Sequence, residues 1–101
     1  MNGFAEALAE DRRLAELKLL LEAGGSANES VLETGLEALG HTTALTRENI
    51  RADLKFLEDR ALVRLSYFND KICVAHITRR GVEVAEGRTK VEGIKRPSIG
   101  E

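Results

Sequence analysis

Arg47, Arg51 and Lys55 stand four residues apart, a spacing that puts three cations on one side of a helix. Thr46 and Asn49 are beside them. This set has the chemistry of nucleic-acid contact. Arginine bonds guanine bidentately, asparagine does the same with adenine, and hydroxyls and ammonium groups meet phosphates. Arg64, Lys71 and Arg79, further along, supply cations for a phosphate backbone. Acids are close at hand as well: Glu48 lies three before Arg51, and Asp59 four after Lys55. The same cations can therefore pair along a solvated helix face. Both readings remain open on the sequence.

Other chemistry is sparse. His41, His76 and Cys73 are the best metal ligands besides carboxylates, and Cys73 and His76 point to opposite faces of a strand. No paired cysteine spacing and no glycine-rich phosphate loop occur. The carboxylates are spaced as solvated helix faces. We expect no enzyme, no cofactor and no metal site.

The elements that must carry these residues follow from periodicity. Thr46 can cap a helix, and Ile50, Leu54 and Leu57 give it one apolar stripe. After Arg60 the period drops to two, predicting a strand over 62–68, a turn of two to four residues at Asn69-Asp70, and a strand over 72–77. Before them, Ser26 with Glu29 three residues later forms a capping box and predicts a helix to about Leu39, ended by Gly40. Thr78 caps a last short helix through Glu86, which Gly81 weakens. Two helices and a hairpin in this order predict an α+β winged helix-turn-helix domain: three helices, a two-stranded wing, a short C-terminal helix and a tail. Its bounds are 1–86, with 87–101 as an extended, flexible tail rich in glycine and charge.

The first helix, Phe4–Ala23, carries two stripes. Leu14, Leu17 and Leu21 fall together with Leu20 beside them, and Phe4, Leu8, Ala15 and Leu19 fall on roughly the opposite side. One stripe docks a helix on its own domain. The second is covered by the tail or a bend, or it joins two copies as a homodimer.

The chain has 101 residues and a formal net charge of −2, which disfavours bulk attraction to phosphate. The charge is polarised: residues 1–40 hold three basic against eight acidic side chains, residues 71–101 seven against four. One cysteine excludes an intrachain disulfide and fits a reducing compartment. No apolar run approaches a membrane span, and the first residues lack signal-peptide features. We expect a cytoplasmic location.

Six segments resemble a family of small proteins of Mu-like phages and prophages. They are EDRRLAELKLLLEA (Glu10–Ala23), NESVL (Asn28–Leu32), LEALGH (Leu36–His41), RADLKFLEDRALV (Arg51–Val63), TRRGVEVAEGR (Thr78–Arg88) and KRP (Lys95–Pro97). Members often carry the label of winged-helix regulators resembling the ArsR group. The resemblance implies a winged-helix dimer built on the long first helix, in a bacterial host. Metal sensing does not carry over, because the clustered Cys or His ligands of those sensors are missing. Two functions are therefore expected. One is double-stranded DNA binding, as a regulator, through Thr46, Arg47, Asn49, Arg51, Lys55, Arg64 and Lys71. The other is a phage morphogenesis or interaction module that holds a protein partner through the first helix or the tail.

Overall fold

The structure, a computed structural model, describes residues 3–98. It is α+β, with four helices and a three-stranded antiparallel sheet. The elements are α1 (Gly3–Glu22), β1 (Ser26–Asn28), α2 (Glu29–Ala38), α3 (Arg47–Asp59), β2 (Val63–Phe68), β3 (Ile72–Ile77) and α4 (Arg79–Ala85).

Helix α1 is the centre of the fold. It packs on α2, α3, α4, β1 and β3, and Leu14, Leu17 and Leu20 are buried in the main core. The second stripe is largely covered from within the domain. Ala15 is 7% exposed, and Leu19 packs on the core with its side chain over Gly35 of α2, where any Cβ would meet it. Of the four candidate dimer positions, Phe4 is 74% exposed, Leu8 and Leu19 are half-buried and Ala15 is buried. The helix ends at Gly24-Gly25 as expected. Gly25 N–H bonds Leu20 C=O (2.7 Å) and Gly24 N–H bonds Leu21 C=O (3.1 Å), with both glycines at positive φ.

The segment after these glycines departs from the expected capping box. Residues Ser26–Asn28 form β1, which pairs with β3 through Ser26↔His76, Ala27↔Ala75 and Asn28↔Val74. The cap of α2 is Asn28, whose side chain accepts from Val31 N–H at 2.9 Å. Ladder bonds to β3 hold Ser26 extended, so helix begins only where that pairing ends. The β2–β3 hairpin, expected as a two-stranded element, is thus part of a three-stranded sheet ordered β1-β3-β2.

The rest matches the periodicity. Thr46 caps α3, and Ile50, Leu54 and Leu57 are essentially unexposed. β2 and β3 pair from Val63↔Ile77 to Phe68↔Ile72, leaving a three-residue loop, Asn69–Lys71. Asn69 and Asp70 both have positive φ, which these two residue types tolerate without glycine. Thr78 caps α4. Gly81 does more there than loosen a helix: a Cβ would sit 2.2 Å from Leu62 O and 2.7 Å from Ile77 Cγ1. Its missing side chain is what lets α4 lie against the α3–β2 connection.

Residues beyond α4 contain no helix or strand through Ser98, yet they are packed. Val91 and Ile94 belong to the same core as the helices. Lys95 N–H bonds Glu10 C=O at 3.1 Å, and Arg13 Nη1 donates to Gly93 C=O at 2.8 Å. Gly93 lies against Phe56, whose ring is flanked by the guanidinium groups of Arg13 and Arg60. Residues 99–101 of the expected tail lie outside the described residues.

Candidate nucleic-acid interface

The loop before α3 is shaped by two of the candidate residues. Thr46 Oγ1 accepts from Asn49 N–H at 3.0 Å, and Asn49 Nδ2 donates to Ala44 C=O at 2.7 Å. Ala44 has φ +57, an uncommon conformation for alanine that this side-chain bond helps hold. Thr46 and Asn49 thus set the entry angle of the helix.

The three helix cations each meet carboxylates. Arg47 Nη2 lies 2.9 Å from Glu33 and its Nη1 3.9 Å from Glu29. Arg51 Nε lies 2.7 Å from Glu29 Oε2, with Nη2 at 3.4 Å from the other oxygen. Lys55 reaches Glu58 at 3.2 Å and Asp59 at 3.4 Å. The pairs differ in kind. Those of Lys55 join exposed groups on one helix and hold the ammonium loosely. Glu29 is buried, its side chain 5% exposed, so Arg51 is the guanidinium that compensates a carboxylate removed from water. The Arg51 side chain is itself 60% exposed, and its Nη1 has no protein partner among the described residues. These bonds hold the Arg51 guanidinium above its resting value, through Glu29 first.

Between α3 and the hairpin runs a groove of about 420 Å³. Leu54, Leu65, Cys73 and Tyr67 form its wall, and Arg51, Lys55 and Lys71 bring cations to it from both sides. Glu29 and Asp70 are its acids. Cys73 is 6% exposed, and burial pushes its thiol up, away from a ready thiolate.

Arg64 is not part of this groove. Val63, Leu65 and Tyr67 share the groove-side face of the sheet with Ile77, Ala75 and Cys73, so the alternating pleat sends Arg64, Ser66 and Phe68 to the outer face, opposite His76, Val74 and Ile72. Of the seven candidates, Arg51, Lys55 and Lys71 line this groove; Thr46, Arg47 and Asn49 are at the start of α3 outside its lining, and Arg64 stands on the other face of the sheet. Among the described residues, no three of His, Cys, Asp and Glu gather as a metal would require. No helix among them is long and apolar enough to cross a membrane.

Reading along the chain missed Glu29 and Glu33 as partners of the helix cations. Glu29 looked like the second half of a capping box; only the packing of α2 against α3 sets it beside Arg47 and Arg51.

The chain is 40% identical to the uncharacterised protein gp26 of Escherichia phage Mu over 90 residues, which is 89% of this chain and 91% of the Mu protein. It belongs to the gp26 family of phage Mu. An uncharacterised protein of Haemophilus influenzae is 39% identical over 78 residues, covering 77% of this chain and 74% of that one. No protein-family model and no solved structure matches this gp26 relative.

Proposed function

We propose that this protein is a non-enzymatic winged-helix protein that binds double-stranded DNA, with a role in phage transcription regulation that does not involve metal sensing. The observation that carries the reading is the convergence of Arg51 and Lys55 on α3 with Lys71 of the hairpin loop at one groove, beside the exposed Tyr67. In a winged helix, the second helix of the turn motif enters the major groove and the hairpin flanks it. The order α2, α3, β2, β3 supplies those parts, with β1 as the added strand at the sheet's other edge.

The carboxylates tune this surface. Lys55 shares Glu58 and Asp59 with solvent, so a phosphate competes for it on nearly equal terms. Arg51 is held by Glu29 through Nε and Nη2, which orients the guanidinium and leaves Nη1 for a ligand. Thr46, Arg47 and Asn49 stand at the start of the helix, where base edges and phosphates come nearest.

The test is a salt titration of binding to a labelled random duplex. Each phosphate neutralised adds about 0.9 to the slope of log K against log salt. Lys55→Glu combined with Lys71→Glu should abolish binding with the fold intact, since both side chains are exposed. Arg51→Glu is a poorer probe, because it sets a second carboxylate beside buried Glu29. Wild-type protein that shows no salt-dependent binding would leave the second reading, a phage interaction module. The exposed Phe68, Ile72 and Phe4 favour that one, at 63%, 45% and 74% exposure.

A further inference from the structure

The outer face of the sheet holds polar groups that the groove does not use. The register places Ser26 opposite His76 on one side and Arg64 opposite it on the other. A serine, a histidine and an arginine thus stand in a row across β1, β3 and β2. Adjacent strands are about 4.8 Å apart, so the row fits beneath one small ligand. Ser66 is two residues from Arg64 and on the same face. Ser26 Oγ lies 2.7 Å from His76 Nδ1, and Ser66 Oγ lies 2.8 Å from Nε2. The ring is therefore clamped edge-on between two hydroxyls.

The hydrogen-bond inventory of this clamp leaves donors over. A neutral imidazole has one N–H and one bare nitrogen. It accepts from one serine and donates to the other, and the serine that receives the N–H keeps its own O–H for a ligand. Arg64 is exposed and has no carboxylate partner among the described residues. The eight outer-face positions are Ser26, Asn28, Arg64, Ser66, Phe68, Ile72, Val74 and His76, and none is Asp or Glu. That is notable in a chain with 17 acids, whose three α3 cations Arg47, Arg51 and Lys55 are all partnered.

We infer that Ser26, His76, Ser66 and Arg64 form a binding site for a tetrahedral oxyanion, the phosphate of a small phosphate monoester or free phosphate. Arg64 supplies the forked guanidinium that suits two phosphate oxygens, and the free serine hydroxyl donates to a third. Among these eight strand positions Arg64 is the only Lys, Arg, Asp or Glu; β1 brings only the uncharged Ser26 and Asn28. The site lies across the sheet from the groove and does not depend on it.

The experiment is an NMR titration of the isotope-labelled full chain, following the His76 ring and the Arg64 side chain. Inorganic phosphate, glycerol phosphate and sulfate serve as probes. Saturable shifts with a dissociation constant on the order of 1 mM are expected. Arg64→Ala should weaken binding at least about five-fold, and Arg64→Lys should restore it only in part, because the ammonium is not a fork. Tighter binding of glycerol phosphate than of inorganic phosphate marks the monoester as the ligand, and the reverse marks free phosphate. Shifts that never saturate, or that persist unchanged in both Arg64→Ala and Ser66→Ala, overturn the site. Arg64 is exposed, and a dispersed amide spectrum of its variants shows that a loss reports the site and not unfolding.

Discussion

Glu16 of α1 and Asp53 of α3 meet inside the core, two carboxyl groups of which only Asp53 is bonded to arginine. Arg12 pairs with Asp53 through Nε and through Nη2, the latter at 3.0 Å, and Arg13 Nε adds a third contact at 3.3 Å. Glu16 is fully buried, and neither of its oxygens finds a donor as a carboxylate. Burial first, and then Asp53, push its carboxyl well above the usual range, against the smaller pull of Arg12 and Arg13. A protonated Glu16 resolves the conflict, since its O–H becomes a donor to Asp53.

Stability should therefore fall as pH rises from the ordinary carboxylate range through the elevated value of Glu16. The folded state binds this proton more tightly than the unfolded chain, so the benefit is complete in acid and is lost as the proton leaves. The slope attributable to this group is at most about 1.4 kcal/mol per pH unit. Glu16→Gln should remove that slope and be more stable than wild type on the alkaline side. Urea unfolding of both proteins at several pH values checks it; parallel curves would place the proton elsewhere.

Asp53→Ala leaves Arg12 buried without its carboxylate and should cost about 3–5 kcal/mol. The double change Arg12→Met with Asp53→Leu should recover most of that loss, because apolar side chains of similar size need no counter-charge. Thermal denaturation of the single and double variants measures the recovery. A double variant as unstable as Asp53→Ala would mean that packing, not charge, is at stake.

Ala61 follows α3 with φ +62. It closes the helix: Leu62 N–H bonds Leu57 C=O at 2.9 Å, and Ala61 N–H bonds Glu58 C=O at 2.9 Å. Alanine is strained in this conformation and glycine is not. Ala61→Gly should raise stability by about 1 kcal/mol, visible as a higher urea midpoint with an unchanged slope.

Gly81→Ala should act in the opposite direction. Its Cβ would press on the backbone oxygen of Leu62, which cannot swing aside as a side chain would. A loss of about 2 kcal/mol or more is expected, although alanine is the better helix former. Equal stability would show that α4 can shift away from the α3–β2 turn.

If α3 and the hairpin hold DNA, Glu58 and Asp59 compete with phosphate for Lys55. Glu58→Gln with Asp59→Asn should then tighten duplex binding several-fold and steepen its salt dependence. Affinity that does not change would take Lys55 out of the contact.

The local elements were legible because their signals are local. Thr46, Thr78 and Gly40 mark helix ends, Ile50, Leu54 and Leu57 repeat at helical spacing, and Val63 to Ile77 alternate at period two around Asn69-Asp70. What failed was decided by pairing over long separations. Ser26 reads as a cap until β3, 50 residues on, claims it as a strand residue and gives its hydroxyl to His76. Charge followed the same rule. Arg47, Arg51 and Lys55 can be placed on one helix face by counting, and Lys55's partners lie within its own helix. The partners of Arg47 and Arg51 come from α2, and the separation of Arg64 from the other cations depends on the pleat of a sheet. Sequence thus determined which residues share a face, because that depends on a period. Only the tertiary structure decided which charges are compensated and which carboxyl keeps its proton, because both depend on what is brought near and what is taken out of water.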